Sequence, residues 1–271
     1  MIVLRSAEEI EKMRRAGRLV AEVLSAVTEA VDVGVTTLEL DTLAEEMIRD
    51  AGAVPAFKGY KPDFIKCGPF PGTLCTSVNA EVVHGVPDGR PLADGDLLSI
   101  DTGVELNGYF GDAAVSIVVG TTTPEAERLI EVTRRSLDRA IAACRPGHRM
   151  GDVSSAVQEV AEADGFSVVR RFVGHGIGTA MHEDPPVPNY GIPGTGPVLK
   201  PGMVLALEPM INAGTFEVKA SPDCWPVLTG DGRLSAHFEH TVAVTEDEAD
   251  ILTLVVERAR RGGKRGPSRV S

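Results

Sequence analysis

Leu97-Leu-Ser-Ile-Asp101-Thr-Gly-Val-Glu-Leu-Asn107-Gly108-Tyr-Phe-Gly-Asp112-Ala-Ala-Val-Ser-Ile-Val-Val-Gly120 reads as two apolar strands joined by an Asn-Gly turn. Asn-Gly is a strong hairpin signal, because the favoured two-residue turn needs positive φ at both central positions. A turn centred on Asn107 and Gly108 pairs 106 with 109, 104 with 111, 103 with 112 and 101 with 114. Side chains alternate faces along a strand, so Asp101 and Asp112 become diagonal neighbours on one face. Two aspartates on a hairpin are ordinarily a solvated surface pair. The apolar flanks here favour burial, and buried carboxylates this close repel unless a proton or a cation lies between them.

The hairpin belongs to a larger pattern. Ser6 with Glu9 and Thr36 with Glu39 are capping-box pairs that predict helices running to about Val31 and to Gly52. Thr123-Pro124 opens a third helix that ends before Pro146-Gly147, and residues from about Asp152 to Asp164 form a fourth. Strand-like runs lie between and after these helix pairs, at Leu97–Gly103, Tyr109–Gly120, Met203–Glu208, His237–Val244 and Ile251–Val255. Gly34 and Gly52 bracket one helix as Gly147 and Gly165 bracket another, and Gly95 precedes Asp101 by the same six residues that separate Gly202 from Glu208. The repeat implies two similar halves, about 7–120 and 121–256, with helices on one face of a curved antiparallel sheet. One α+β domain over 1–257 is expected, followed by a tail.

Composition narrows the function. The chain has 271 residues, is 43% hydrophobic and 24% charged, and has no apolar run near the roughly 18 residues of a membrane span. The N-terminal MIVLR is too short an apolar stretch for a signal peptide. Cys67, Cys75, Cys144 and Cys224 are scattered without a CxxC, which implies reduced thiols and a cytoplasmic location. A net charge of -12 argues against general nucleic-acid binding by the body. From Arg258 onward there are six basic residues and no acidic ones, which leaves 21 basic against 39 acidic residues in the rest. The favoured reading of 258–271 is a disordered, solvated tail; contact with ribosomal RNA is the sharper alternative.

Further candidates join the two aspartates. His175 lies in Val173-Gly-His-Gly-Ile-Gly178, where flanking glycines would leave a ligand room to reach the ring. Glu208 ends an apolar strand, and alternation puts His237, Glu239 and Thr241 on one strand face. Singly, each acid is better read as a surface charge or salt-bridge partner. Together, Asp101, Asp112, Glu208 and Glu239 balance two divalent cations, and oxygen-rich ligation with one imidazole suits Mn, Fe(II), Co or Zn. Two such ions can activate a water and polarise a carbonyl, which is hydrolase chemistry. His84 and His182 precede the two Gly-strand units and are candidates for hydrogen bonding to substrate, against the plainer reading of loop histidines.

Seven segments lie in order along the chain: Cys75-Thr-Ser-Val-Asn79, Val83-His-Gly-Val-Pro-Asp88, Ser99-Ile-Asp-Thr-Gly103, Gly108-Tyr-Phe-Gly-Asp112, Gly174-His-Gly-Ile-Gly178 with His182-Glu183, Leu207-Glu-Pro-Met210, and Ser235-Ala-His-Phe-Glu-His-Thr-Val242. Together, over about residues 5 to 256, they resemble a type I methionine aminopeptidase of the pita-bread (creatinase/aminopeptidase-like) superfamily. The resemblance implies that Asp112, His175, Glu208 and Glu239 hold one metal and that Asp101, Asp112 and Glu239 hold a second. It further implies that a bridging hydroxide attacks the carbonyl after an N-terminal methionine followed by a small residue. Glu208 would handle the proton, His182 the oxyanion and His84 the scissile amide, with Tyr60, Cys75 and Trp225 in the methionine pocket. A monomer acting on nascent-chain N-termini is expected. The chain departs from the family pattern at an apparent insertion over 61–69 and at Phe70, Phe110 and Met181, which bear on pocket shape and leave the ligands untouched. Two alternatives compete: a proline dipeptidase of the same superfamily, and a non-catalytic pita-bread protein that binds peptides or ribosomes.

Overall fold

The computed structural model describes residues 1–62, 68–221 and 224–254. Four helices are built where the capping signals lie. α1 (Ala7–Ala30) and α2 (Thr37–Asp50) each begin with a reciprocal capping box, from Ser6 with Glu9 and Thr36 with Glu39. α3 (Pro124–Ala143) is capped by the Thr123 hydroxyl and carries proline in its first turn. α4 (Met150–Ala163) starts two residues before the expected Asp152. Its N-cap is Arg149, whose side chain cannot accept from the helix; the Asp152 carboxylate instead accepts from the Arg149 amide at 2.7 Å.

The hairpin forms in the expected register, with Asp101 opposite Ala114 and Gly103 opposite Asp112, and with positive φ at both Asn107 and Gly108. It lies near one end of a nine-stranded sheet among the described residues. Val54–Pro55, Leu97–Leu106, Tyr109–Val118, Glu239–Val244, Val204–Leu207, Gly174–Gly176 and Glu183–Val187 are neighbours in that order. Leu74–Val78 also pairs with Leu97–Leu106, and Ala249–Ile251 with Glu239–Val244. These pairings are antiparallel. The expected strand over 237–244 is broken at Phe238, and Ser235–His237 joins a separate three-stranded sheet. The expected strand at 251 is shifted to Ala249–Ile251, and position 255 lies outside the described residues, as do 63–67 of the apparent insertion and the basic tail.

Both helix pairs cover one sheet face. α1 and α2 pack on Leu98, Ile100, Val104 and Ala113, while α3 and α4 pack on Leu205, Leu207, Val242 and Val244. A Cβ on Gly111 would lie 2.8 Å from the Gly17 nitrogen, so α1 rests directly on the hairpin. Alternation then sends the side chains of positions 99, 101, 112 and 116 to the other face, where Ser99 and Ser116 hydrogen-bond at 2.7 Å. Cys75 and Cys144 are free and buried, but Cys224 is disulfide-bonded, which corrects the expectation of four reduced thiols. Spacing along the chain does not report which sulfurs the fold brings together. No helix among the described residues is long and apolar enough to cross a membrane.

Candidate metal centre

Five consecutive strands of the sheet supply the five candidate ligands. Asp101 comes from Leu97–Leu106, Asp112 from Tyr109–Val118 and His175 from Gly174–Gly176; Glu239 opens Glu239–Val244, and Glu208 directly follows Val204–Leu207. Their backbones are tied together. The Asp112 amide donates to Thr241 Oγ1 at 3.0 Å, and that hydroxyl donates to the Asp112 carbonyl at 2.8 Å. Asn189 Nδ2 donates to the Glu208 carbonyl at 2.9 Å. His175 Nδ1 lies 2.9 Å from the Gly176 carbonyl, an acceptor only, so the proton sits on Nδ1 and Nε2 is free to face the cluster. The glycines beside His175 also serve packing. A Cβ on Gly174 would lie 2.3 Å from the Ala206 carbonyl oxygen, and one on Gly176 would lie 2.1 Å from that of Asp184. They let neighbouring strands close on the imidazole.

His175 Nε2 is 3.9 Å from Asp112 Oδ2 and 3.7 Å from Glu208 Oε1. One ligand atom each from Asp112, His175 and Glu239 fall within 4.8 Å of one another, as do atoms from Glu208, His237 and Glu239. Burial pushes the Asp101 carboxyl up to about 7. Burial, reinforced by repulsion among the acids, raises Asp112, Glu208 and Glu239 well above the usual carboxylate range. Asp101 Oδ1, Asp112 Oδ1, Glu239 Oε1 and His237 Nε2 are buried without a hydrogen-bond partner, a costly state that cations would relieve. The donor set and these orphaned atoms fit divalent ions.

The cluster floors a cavity of about 700 Å³ that also takes in every other expected site residue: Tyr60, Cys75, His84, His182 and Trp225. Phe70 packs edge-on against Trp225 at 5.1 Å between centroids, and with Cys75, Tyr60 and Phe57 they form an apolar wall. His182, at the solvent-accessible mouth, shares a hydrogen bond between its Nδ1 and Tyr60 Oη at 3.1 Å, and its ring centroid lies 4.3 Å from that of His175. Arg5 anchors Glu183 at 2.6 Å, and Glu183 accepts from the amides of Thr179 and Ala180, which orders the loop that carries His182. His84 adopts a left-handed φ of 61 and stands edge-on to Phe172 and Trp225. Burial lowers its pKa to about 4 and that of His175 to about 3, which keeps both rings neutral. Of the departing residues, Phe110 and Met181 pack with Met13, Ile177 and Val204 in a cluster of their own. His237 was not among the expected site residues, although its alternation with Glu239 was the signal that could have found it.

Residues 11–246 match Metallopeptidase family M24. The chain belongs to metallopeptidase family M24. A methionine aminopeptidase of Clostridium perfringens is 50% identical to this M24 chain over 255 residues, covering 94% of it and 100% of the relative. The crystal structure of a methionine aminopeptidase from Rickettsia prowazekii superposes with a TM-score of 0.90 at 43% identity, over 94% of this chain and 100% of that one. A prolidase from Pyrococcus furiosus shares the fold, at TM-score 0.72 and 24% identity, and the M24 chain covers 65% of it. The α+β pita-bread architecture, a curved antiparallel sheet backed by helices, is common to these proteins.

Proposed function

We propose that this chain is a divalent-metal-dependent aminopeptidase that removes the N-terminal methionine of peptides and new protein chains. The observation that carries the reading is the set of buried, unpartnered carboxylates on adjacent strands beneath an apolar pocket. Half-identity to a methionine aminopeptidase over nearly the whole of both chains supports it, whereas the prolidase likeness speaks to the fold alone. All five expected ligands are present, which disfavours a non-catalytic binding protein.

In this reading Asp112, His175, Glu208 and Glu239 hold one ion, and Asp101, Asp112 and Glu239 hold the other. Two divalent ions so held supply an activated water and a polarised carbonyl. Glu208 takes up the proton and returns it to the leaving amine. His182, oriented by the Tyr60 hydroxyl, donates to the developing oxyanion, and His84 contacts the scissile amide. Tyr60, Phe70, Cys75 and Trp225 receive the methionine side chain and exclude water from it. The division into halves about 7–120 and 121–256, a cytoplasmic monomer, a preference for a small second residue and ribosome contact through 258–271 belong to the same proposal. Hydrolysis of a Met-X-peptide series by protein reconstituted with Mn, Fe(II), Co or Zn tests it. Turnover of Met-Ala-Ser but not Gly-Pro is expected; the reverse pattern would favour a prolidase.

A further inference from the structure

We infer that His237 is a sixth protein ligand of this centre, offering Nε2 to the ion held by Glu208 and Glu239, so that the donor set is four carboxylates and two imidazoles. The inference rests on the metal-binding reading above and adds a residue to it. His237 is 2% exposed and lines the cavity. Its Nε2 has no hydrogen-bond partner, a property it shares within this cavity with Asp101, Asp112 and Glu239. The buried, orphaned state that marks those acids as ligands therefore marks His237 as well.

His237 Nε2 lies 3.8 Å from Glu208 Oε2 and 3.8 Å from Glu239 Oε2. Both separations are too long for hydrogen bonds. With Asp112, His175, Glu208 and Glu239 already assigned to that ion, His237 would add to a five- or six-coordinate shell, in which adjacent donors at bonds near 2.1 Å stand roughly 3.0 Å apart, so a closure of about 0.8 Å suffices. His175 lies at the same kind of distance, 3.7 Å from Glu208 Oε1 and 3.9 Å from Asp112 Oδ2. The two imidazoles thus flank Glu208, one on each carboxylate oxygen. The backbone of His237 is pinned in place: its amide donates to Ser116 Oγ at 2.8 Å, and that hydroxyl donates to its carbonyl at 2.8 Å. A neutral imidazole leaves the balance of four acids against two divalent ions unchanged. A second nitrogen donor shifts preference from Mn towards Co, Ni and Zn.

Counting coordinated imidazoles tests the inference independently of turnover. Each histidine bound to Co(II) contributes one strongly shifted, exchangeable N–H proton resonance. The cobalt-loaded chain is expected to show two, and His237→Gln and His175→Gln one each. His237→Gln should also weaken the binding of one ion by roughly tenfold or more, since even groups that only orient ligands contribute 10–100-fold, and it should narrow the discrimination of Co over Mn. A single resonance from the unsubstituted protein carrying two cobalt ions overturns the role of His237 and leaves the dinuclear centre standing. Two resonances with one cobalt bound keep His237 and remove the second ion from the reading of the site. If His237→Gln does not fold, the count on the unsubstituted protein decides alone.

Discussion

Two regions of this fold bury an aspartate, and they treat it in opposite ways. Asp41 on α2 is 5% exposed and Asp112 on the hairpin is 3% exposed. Asp41 Oδ1 accepts from the backbone amides of Thr73 and Leu74, both at 2.7 Å, and thereby fixes the start of the strand that carries Cys75. Those amides oppose the rise in pKa that burial imposes on Asp41. At Asp112 the neighbours reinforce it: after burial, the next causes are Glu239 and Asp101. A buried acid answered by amides holds structure together. A buried acid crowded by other acids is unstable alone and poised to bind a cation.

The largest effect belongs to Asp112. Asp112→Ala or Glu239→Ala removes a ligand shared by both ions, and turnover of Met-Ala-Ser should fall by more than roughly a hundredfold, the upper range for residues that only support ligands. Activity retained within tenfold would falsify the shared-ligand assignment. The chelated Asp112→Ala protein should at the same time melt no lower than the chelated parent, because a repelling charge has been removed. His182→Ala comes next. It should lower kcat by about 10²–10³ with metal content unchanged, as expected of one donor to a developing oxyanion. Parallel loss of metal and rate would make His182 a structural residue.

The acid cluster also sets a pH dependence. Its carboxyls titrate near 4 when unfolded, whereas in the folded chain Asp101 is pushed up to about 7 and Asp112, Glu208 and Glu239 well above the usual range. Between those limits the folded state of the metal-free protein binds more protons than the unfolded state. Its stability therefore falls as pH rises from about 4 through 7 and beyond. Bound cations remove the repulsion, so the gap in Tm between metal-loaded and chelated protein should widen from pH 5 to pH 8 in thermal melts. A constant or shrinking gap would mean that the acids are not mutually repelling in the folded chain.

How much of this was legible in the sequence follows from how local each signal is. The hairpin register could be read because Asn107-Gly108 fixes the turn and alternation fixes the face. The helix starts at Ser6, Thr36 and Thr123 could be read from their capping side chains, and the start of α4 could not, because Arg149 caps nothing. Short strands such as Glu183–Val187, with two prolines, carry no periodic signature and exist only by pairing with distant segments. The five expected ligands emerged from residue type and from the resemblance of ordered motifs. His237 did not, because whether a buried nitrogen has a partner depends on strands that meet only in the fold. The close strand packing at Gly174 and Gly176 is not legible in the sequence for the same reason: what presses on a glycine is a neighbour distant in sequence.

Asp41→Asn should produce the smallest effect and the sharpest contrast. Asparagine keeps one carbonyl oxygen near the Thr73 and Leu74 amides but loses the charge that strengthens both bonds, a cost of about 1–3 kcal/mol. In a chain of this size that corresponds to a fall in Tm of roughly 2–12 °C. Because these bonds fix the start of the strand that carries Cys75, which supplies none of the candidate ligands, metal stoichiometry should not change and kcat should stay within a few-fold, with any loss appearing as a raised KM for methionyl peptides. Asp112→Asn should show the reverse pattern, losing metal while the chelated protein keeps its stability. If Asp41→Asn instead loses metal, burial and a raised pKa are not enough to separate the two kinds of acid. The contacts each carboxylate makes, chiefly amides for one and chiefly acids for the other, would then have to be treated as one connected network.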